Sequence, residues 1–241
     1  MKVFAKPGLG NLARAHAALM DLTNPEKAEF LAGFFKTGKG QYAEGDRFLG
    51  ITVPAVRQIA RDHGGLTIEE GTKFLGSMYN EERFLGLLVL IRHYKKGDVY
   101  TRKTVYQNYM ENRHRVNNWN LVDGSAPQVP GEHWLRGDRA PLWKLAESTS
   151  LWDRRIAVLA TFTFIRAGDY RDTFKLAERL LGDTQDLMHK ACGWMLREIG
   201  KRDHVVLEEF LDKNGPRMPR TMLRYAIERF PIETRVEYLK R

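Results

Sequence analysis

Apolar residues recur at intervals of three and four almost from end to end of this 241-residue chain, and that spacing confines it to helix. Val56, Ile59 and Ala60 follow it, as do Phe84, Leu87, Leu88 and Ile91. Leu151, Ile156, Leu159, Ala160 and Phe162 continue it, and so do Ala191, Met195, Leu196 and Ile199. Start signals punctuate the pattern. Asn24-Pro25 is a cap followed by proline at the first helical position, with Glu26 placed to favour the helix dipole. Val53-Pro54, Asn80-Glu81-Glu82 and Asp203 mark further starts, and Gly97, Gly168, Gly182, Gly200 and Gly215 mark ends. Residues 48–53 resemble a short extended piece, but Gly50 and Pro54 argue for a loop. The glycine-rich stretch TGKGQYAEGD (37–46) reads as the most mobile loop.

The spacing predicts about twelve to fourteen helices of about 10–18 residues, joined by short connections that set neighbours antiparallel. Between residues 80 and 230 helix pairs recur every ~35–40 residues, within the range of helical repeats. An all-α, irregular α-solenoid of HEAT-like antiparallel helix pairs is the architecture expected, with a non-repetitive helical bundle as the alternative. The whole chain, 1–241, reads as one helical-repeat domain, with residues 1–23 as an N-terminal helix.

Composition narrows the function. Hydrophobic residues make up 43% and charged residues 29%, too apolar for a disordered chain. No run approaches about 18 uncharged apolar residues, so no membrane partner is expected. The N-terminus lacks the order of charge, apolar run and cleavage site of a secretory signal, which suits a cytoplasmic protein. A single cysteine, Cys192, excludes an internal disulfide and a multi-cysteine metal site. The 39 Lys and Arg outnumber 30 Asp and Glu, and a formal net charge of +9 favours a polyanion, of which nucleic acid is the commonest.

The chain has no phosphate-binding glycine loop, no dinucleotide fingerprint, no HExxH, no GxSxG and no CxxC. His189 and Cys192 are three apart, yet two ligands do not make a zinc site, and a buried thiol beside a partly exposed histidine is the better reading. Neither a metal nor an organic cofactor is expected. Aromatic clustering stands out instead: Trp119, Trp134, Trp143 and Trp152 fall close together. Trp119 and Asp123, four apart in NNWNLVD, place an indole and a carboxylate on one helix face. Asn117, Asn118 and Asn120 make that helix start polar, which is poor core design and suggests exposure. A second helix carries Lys190, Trp194, Arg197 and Lys201 in one stripe, a basic surface with an indole in its middle, suited to phosphates and stacking. Trp152 leads a third helix with Arg154 and Arg155. Those two arginines point about 100° apart, so only one need face a ligand.

On these three helices the chain resembles the AlkD-like family of DNA alkylation repair glycosylases. The matching words are NPEKAEFLAGFFK (24–36), FLGITVPAVRQIAR (48–61), NNWNLVD (117–123), LWDRRIAVL (151–159) and KACGWMLREIGK (190–201). The resemblance implies a right-handed α-solenoid with a basic concave face. It implies that Asp123 is the catalytic carboxylate and that Trp119 and Trp194 flank the deoxyribose of the lesion. Arg155 then contacts the DNA backbone. Phe34 stands where relatives carry an aromatic, often with a hydroxyl that this chain lacks. Residues 1–23 and the 37–46 stretch vary in such proteins and transfer nothing. The resemblance also implies recognition through the backbone and sugar of the lesion rather than through a base pocket.

The activity so implied is hydrolysis of the N-glycosidic bond of cationic N3- and N7-alkylpurines in duplex DNA by a monomer in the cytoplasm, associated with the nucleoid. The residue types fit it. A cationic base is already a good leaving group, the sugar gains oxocarbenium character, and a carboxylate beside C1′ stabilises it. No general acid is required, so one Asp suffices. A non-catalytic module for distorted or branched DNA is the alternative, and a scaffold for a protein partner is a third reading. Asp123 beside Trp119 favours the enzyme, and the basic stripe disfavours the scaffold. No lysine stands out as a Schiff-base nucleophile, so a lyase is disfavoured.

Overall fold

The computed structural model describes residues 10–240. The expected N-terminal helix is represented there by α1 (Asn11–Met20), and residues 1–9 of it lie outside the described residues. Contacts divide the chain into two compact units, one ending at Ser125 and the other beginning at Ala126.

The first unit continues with α2 (Pro25–Phe34), α3 (Val53–Asp62), α4 (Ile68–Leu75), α5 (Asn80–Lys96), α6 (Val99–Glu111) and α7 (Trp119–Ser125). Its centre is α5, buried along most of its length and packed against α3, α4, α6 and α7. The ends follow local chemistry. Asn24 caps α2, Asp98 caps α6, and Thr67 with Glu70 forms a reciprocal capping box on α4. Two glycines allow α4 and α5 to touch: a Cβ on Gly86 would lie 2.5 Å from the Gly71 carbonyl oxygen.

The second unit holds α8 (Glu132–Leu135), α9 (Ala140–Ala146), α10 (Leu151–Arg166), α11 (Arg171–Arg179), α12 (Asp186–Gly200), α13 (His204–Asn214), α14 (Arg220–Ala226) and α15 (Ile232–Lys240). Here α10 and α12 are the central elements. The former packs on α8, α9, α11 and α12, and the latter on α10, α11, α13 and α14. Ser150 caps α10 and Asp203 caps α13.

The described residues are all helix and loop, as the spacing predicts. Their one β-contact is an isolated bridge between Arg47 and Tyr79, and residues 48–52 are loop. Several helices are shorter than expected. α7, α9 and α14 have seven residues each and α8 has four. Prolines explain part of this: Pro127 and Pro130 sit in a π turn ahead of α8, and Pro141 lies at the start of α9. No helix of the described residues is long and apolar enough to cross a membrane.

Candidate functional site

In the first unit the site is built around the start of α7. The backbone turns into helix at Trp119 because Asn118 supplies the acceptors: its Oδ1 takes the Trp119 N–H at 2.9 Å, and its carbonyl takes those of Leu121 and Val122. The Asn118 amide is fully buried and donates to Asp46 at 2.9 Å. Asp46 also accepts from the Asn80 amide at 3.0 Å and from the Arg83 guanidinium. Asn120 closes the group by donating to Asn80 at 2.7 Å. Three donors converge on one buried carboxylate, while the Nε of Arg83 is buried without a hydrogen-bond partner. The 37–46 stretch thus ends in an anchored residue, Asp46 at 9% exposure, where its glycines suggested mobility. Asn118 likewise corrects the reading of an exposed polar helix start, because its side chain is a bridge between Asp46 and α7.

Trp119 is half-buried. Its indole stacks on the buried Phe35, with ring centroids 4.8 Å apart and 18° between planes, and meets Phe34 edge-on at 6.0 Å. Phe35 stacks in turn on Phe48, and Phe34 on Phe30. Asp123 lies half-buried one turn along α7 from the indole. The structure therefore brings Phe34 to Trp119, while Phe35 is an aromatic partner that the sequence reading passed over.

Beside this cluster lies a cavity of about 380 Å³, lined among others by Phe30, Phe34, Phe35, Val53, Glu81 and Phe84. Glu81 is buried. Its Oε2 accepts the Leu49 N–H, and its Oε1 accepts those of Gly50 and Ile51, at 2.9–3.2 Å. Gly50 has φ +81°, and a Cβ there would fall 2.1 Å from the Asn24 carbonyl oxygen, so only glycine lets this loop lie against the start of α2. Burial pushes the Glu81 carboxyl above its ordinary pKa, even against the backbone N–H groups of Leu49, Gly50, Ile51 and Glu81 itself.

In the second unit the sequence-derived candidates occupy distinct surroundings. Trp194 is half-buried, donates its indole N–H to Glu198 at 3.2 Å and lies 6.2 Å from Phe162. Glu198 also receives Lys201 at 2.6 Å and Arg202. Burial alone would raise the Glu198 carboxyl; hydrogen bonds from Lys201, Arg202 and Trp194 outweigh it, so the pKa falls. Lys190 pairs with Asp186 at 2.8 Å, and Arg197 pairs with Glu228. The stripe of α12 is real as spacing, but each of its three cations has its own acid. Arg154 is held by Asp183 at 2.6 Å and by the carbonyls of Ser148 and Thr149. Arg155 is only 4% exposed and donates to the Leu187 carbonyl at 2.5 Å. Trp152 sits half-buried in the first turn of α10. The guanidinium of Arg166 lies 4.1 Å from the Phe162 ring, adding an exposed cation near Trp194 that the sequence reading did not select.

Cys192 is buried, and desolvation, with the Asp183 charge, pushes its thiol up to about 12. Among the described residues no group of three or more His, Cys, Asp and Glu side chains is placed to hold a metal ion.

The family model for the DNA alkylation repair enzyme matches residues 15–230, nearly the whole chain. The chain belongs to the DNA alkylation repair enzyme family. A solved structure described as a predicted DNA alkylation repair enzyme from Enterococcus faecalis shares the fold, with a TM-score of 0.66 and 14% identity. The match covers 87% of this chain and 97% of that one. Comparison with curated proteins gives no match. The family match spans both the α7 cluster and the α12 cluster, so each belongs to the part of the chain that the family shares.

Proposed function

We propose that the protein is a monofunctional DNA glycosylase that hydrolyses the N-glycosidic bond of cationic N3- and N7-alkylated purines in duplex DNA. The observation that carries this reading is the start of α7, where an indole and a carboxylate one turn apart stand on a backbone fixed by buried hydrogen bonds. Preorganised charge is what stabilises a cation that exists only in the transition state. As the bond to the alkylated base stretches, positive charge grows at C1′. Asp123, as a carboxylate, stabilises it and orients or deprotonates the attacking water. The Trp119 face attracts the polarised C–H groups of the sugar, worth roughly 0.5–2 kcal/mol. The base leaves with the electron pair of the bond and becomes neutral, so no acid is called on.

Lys190, Arg197 and Lys201 are assigned to DNA phosphates, with Trp194 and Trp152 packing on the strand. Lys190 and Asp186 form an exposed pair, worth only about 0–1 kcal/mol and readily exchanged for phosphate, whereas Arg197 and Lys201 would have to leave Glu228 and the buried Glu198 to reach one. Arg154 and Arg155 are held by groups of the protein's own backbone and by Asp183, and shape the surface that carries Trp152. The test is incubation with a duplex holding one N7-methylguanine, followed by alkaline cleavage at abasic sites. Cleavage at that position supports the reading, and intact DNA under single-turnover conditions refutes it. Tight binding of branched DNA without excision favours the non-catalytic alternative.

A further inference from the structure

The cations of the second unit that the sequence selects are all engaged. Arg155 is buried and donates to the Leu187 carbonyl, and Arg154 is held by Asp183 and two backbone carbonyls. Lys190, Arg197 and Lys201 each have an acid. Arg166, in the last turn of α10, differs from all five. It is exposed, and its guanidinium has neither an acid nor a hydrogen-bond partner among the described residues. It stands over the Phe162 ring, 4.1 Å from the centroid. Phe162 is half-buried, and its ring lies 6.2 Å from that of Trp194. A ring face attracts the cation and takes no conventional hydrogen bond, so the guanidinium is held in place with its five N–H donors unspent. In that state an arginine can grip a phosphate by two parallel hydrogen bonds. Arg202 gives the contrast: it stands 6.0 Å from the same ring, but donates to the carboxylate and the carbonyl of Glu198. Arg155 and Arg166 are eleven residues apart, about three turns of α10, so they lie on one face of that helix.

We infer that Arg166 binds a backbone phosphate of the DNA strand that packs on Trp194, and that Phe162 positions it. The inference deepens the proposed function and rests on it. The family resemblance gives a backbone contact to Arg155, which is spent inside the protein; this contact lies roughly 16 Å further along α10. Phosphates carry no sequence information, so Arg166 sets the register of the strand on Trp194 and leaves the choice of lesion to the chemistry at the sugar.

The test measures duplex affinity across a salt series by fluorescence anisotropy, with undamaged DNA and with DNA holding one N7-methylguanine. Arg166→Gln removes the charge and should lessen the slope of log affinity against log salt by roughly 0.9 for both duplexes. Arg166→Lys should keep the slope and lose about three- to tenfold in affinity, because an ammonium cannot make the paired contact. Phe162→Leu should also keep the slope and weaken binding about two- to fivefold, and Phe162→Tyr, which restores a ring face, should recover it. Arg179→Gln is the control. It removes the same charge from an exposed pair with Glu147 and should leave the slope where it is. A thermal melt of each variant separates folding from binding. An arginine in the last turn of a helix also suits the helix dipole, and if that is its whole role Arg166→Gln leaves the slope unchanged. That result, or an equal loss of slope in Arg179→Gln, overturns the phosphate contact. Phe162→Leu with wild-type affinity removes the positioning role. Excision by the wild type with an unchanged slope in Arg166→Gln leaves the proposed function standing without this contact. A lowered slope in Arg166→Gln with no excision of any lesion by the wild type refutes the function and leaves the contact standing.

Discussion

At the scale of single residues, charge and position divide the labour. Asp123→Asn keeps the size of the side chain and removes its charge. Excision of N7-methylguanine should fall by about 10–10³-fold in a single-turnover assay, while DNA affinity holds or rises slightly as a repelling charge disappears. Near wild-type excision would remove Asp123 from the mechanism. Asp169 offers the contrasting case of a carboxylate used for stability. Hydrogen bonds from Arg171 and Arg139 hold its pKa far below the ordinary 3.8. A depressed native pKa stabilises the fold above the unfolded value and loses that contribution as pH falls through the native one. The melting difference between wild type and Asp169→Asn should therefore be full at neutral pH, and shrink only below about pH 4. A pH-independent difference would show that the Asp169 charge contributes nothing. The placement of Trp119 and Asp123 one turn apart was legible in the sequence, because any helix sets residues four apart on one face. The cavity was not, because its phenyl walls come from Phe30, Phe34 and Phe84, whose meeting depends on tertiary packing.

At the scale of elements, α7 is seven residues long and cannot hold its own position by helix propensity. Its start is fixed by side chains from the 37–46 segment and from α5. Asn118→Ala removes the Trp119 N–H acceptor and leaves Asp46 one donor short. It should cost about 1–3 kcal/mol in a thermal or denaturant melt. Excision measured far below the melting temperature should fall as well, with a change in the near-ultraviolet circular dichroism of Trp119. Loss of stability with full excision and an unchanged spectrum would make the network a matter of folding alone. This device shows where reading by sequence stops. The helix starts at Asn24-Pro25 and Asp203 are local and were visible, since each cap bonds within three residues of itself. Asp46 finds its partners 34, 37 and 72 positions away, and nothing in TGKGQYAEGD announces them. The same limit explains Asn118, which looks like a solvated neighbour of Trp119 and is fully buried.

At the scale of the whole molecule, the excess of positive charge is best judged by salt. Lys190→Ala should lessen the slope of log affinity against log salt by roughly 0.9, for damaged and undamaged duplexes alike. Arg155→Ala should leave the slope unchanged and lower the melt instead, because its guanidinium is buried and spent on the Leu187 carbonyl. The reverse pattern would exchange their roles. The buried Cys192 also bears on how the protein fares in the chemistry it responds to. Electrophiles that alkylate purines attack thiolates faster still, and a repair protein with an open thiol is spent by the agent that creates its work. Here the sole cysteine is walled in, its thiol is pushed up to about 12, and at neutral pH almost none of it is thiolate. Native protein exposed to methylating agent should keep Cys192 unmodified, as read by intact-mass and peptide mass spectrometry, until it is unfolded. Immunity of this kind lets one molecule outlast many rounds of damage instead of being titrated away by the first.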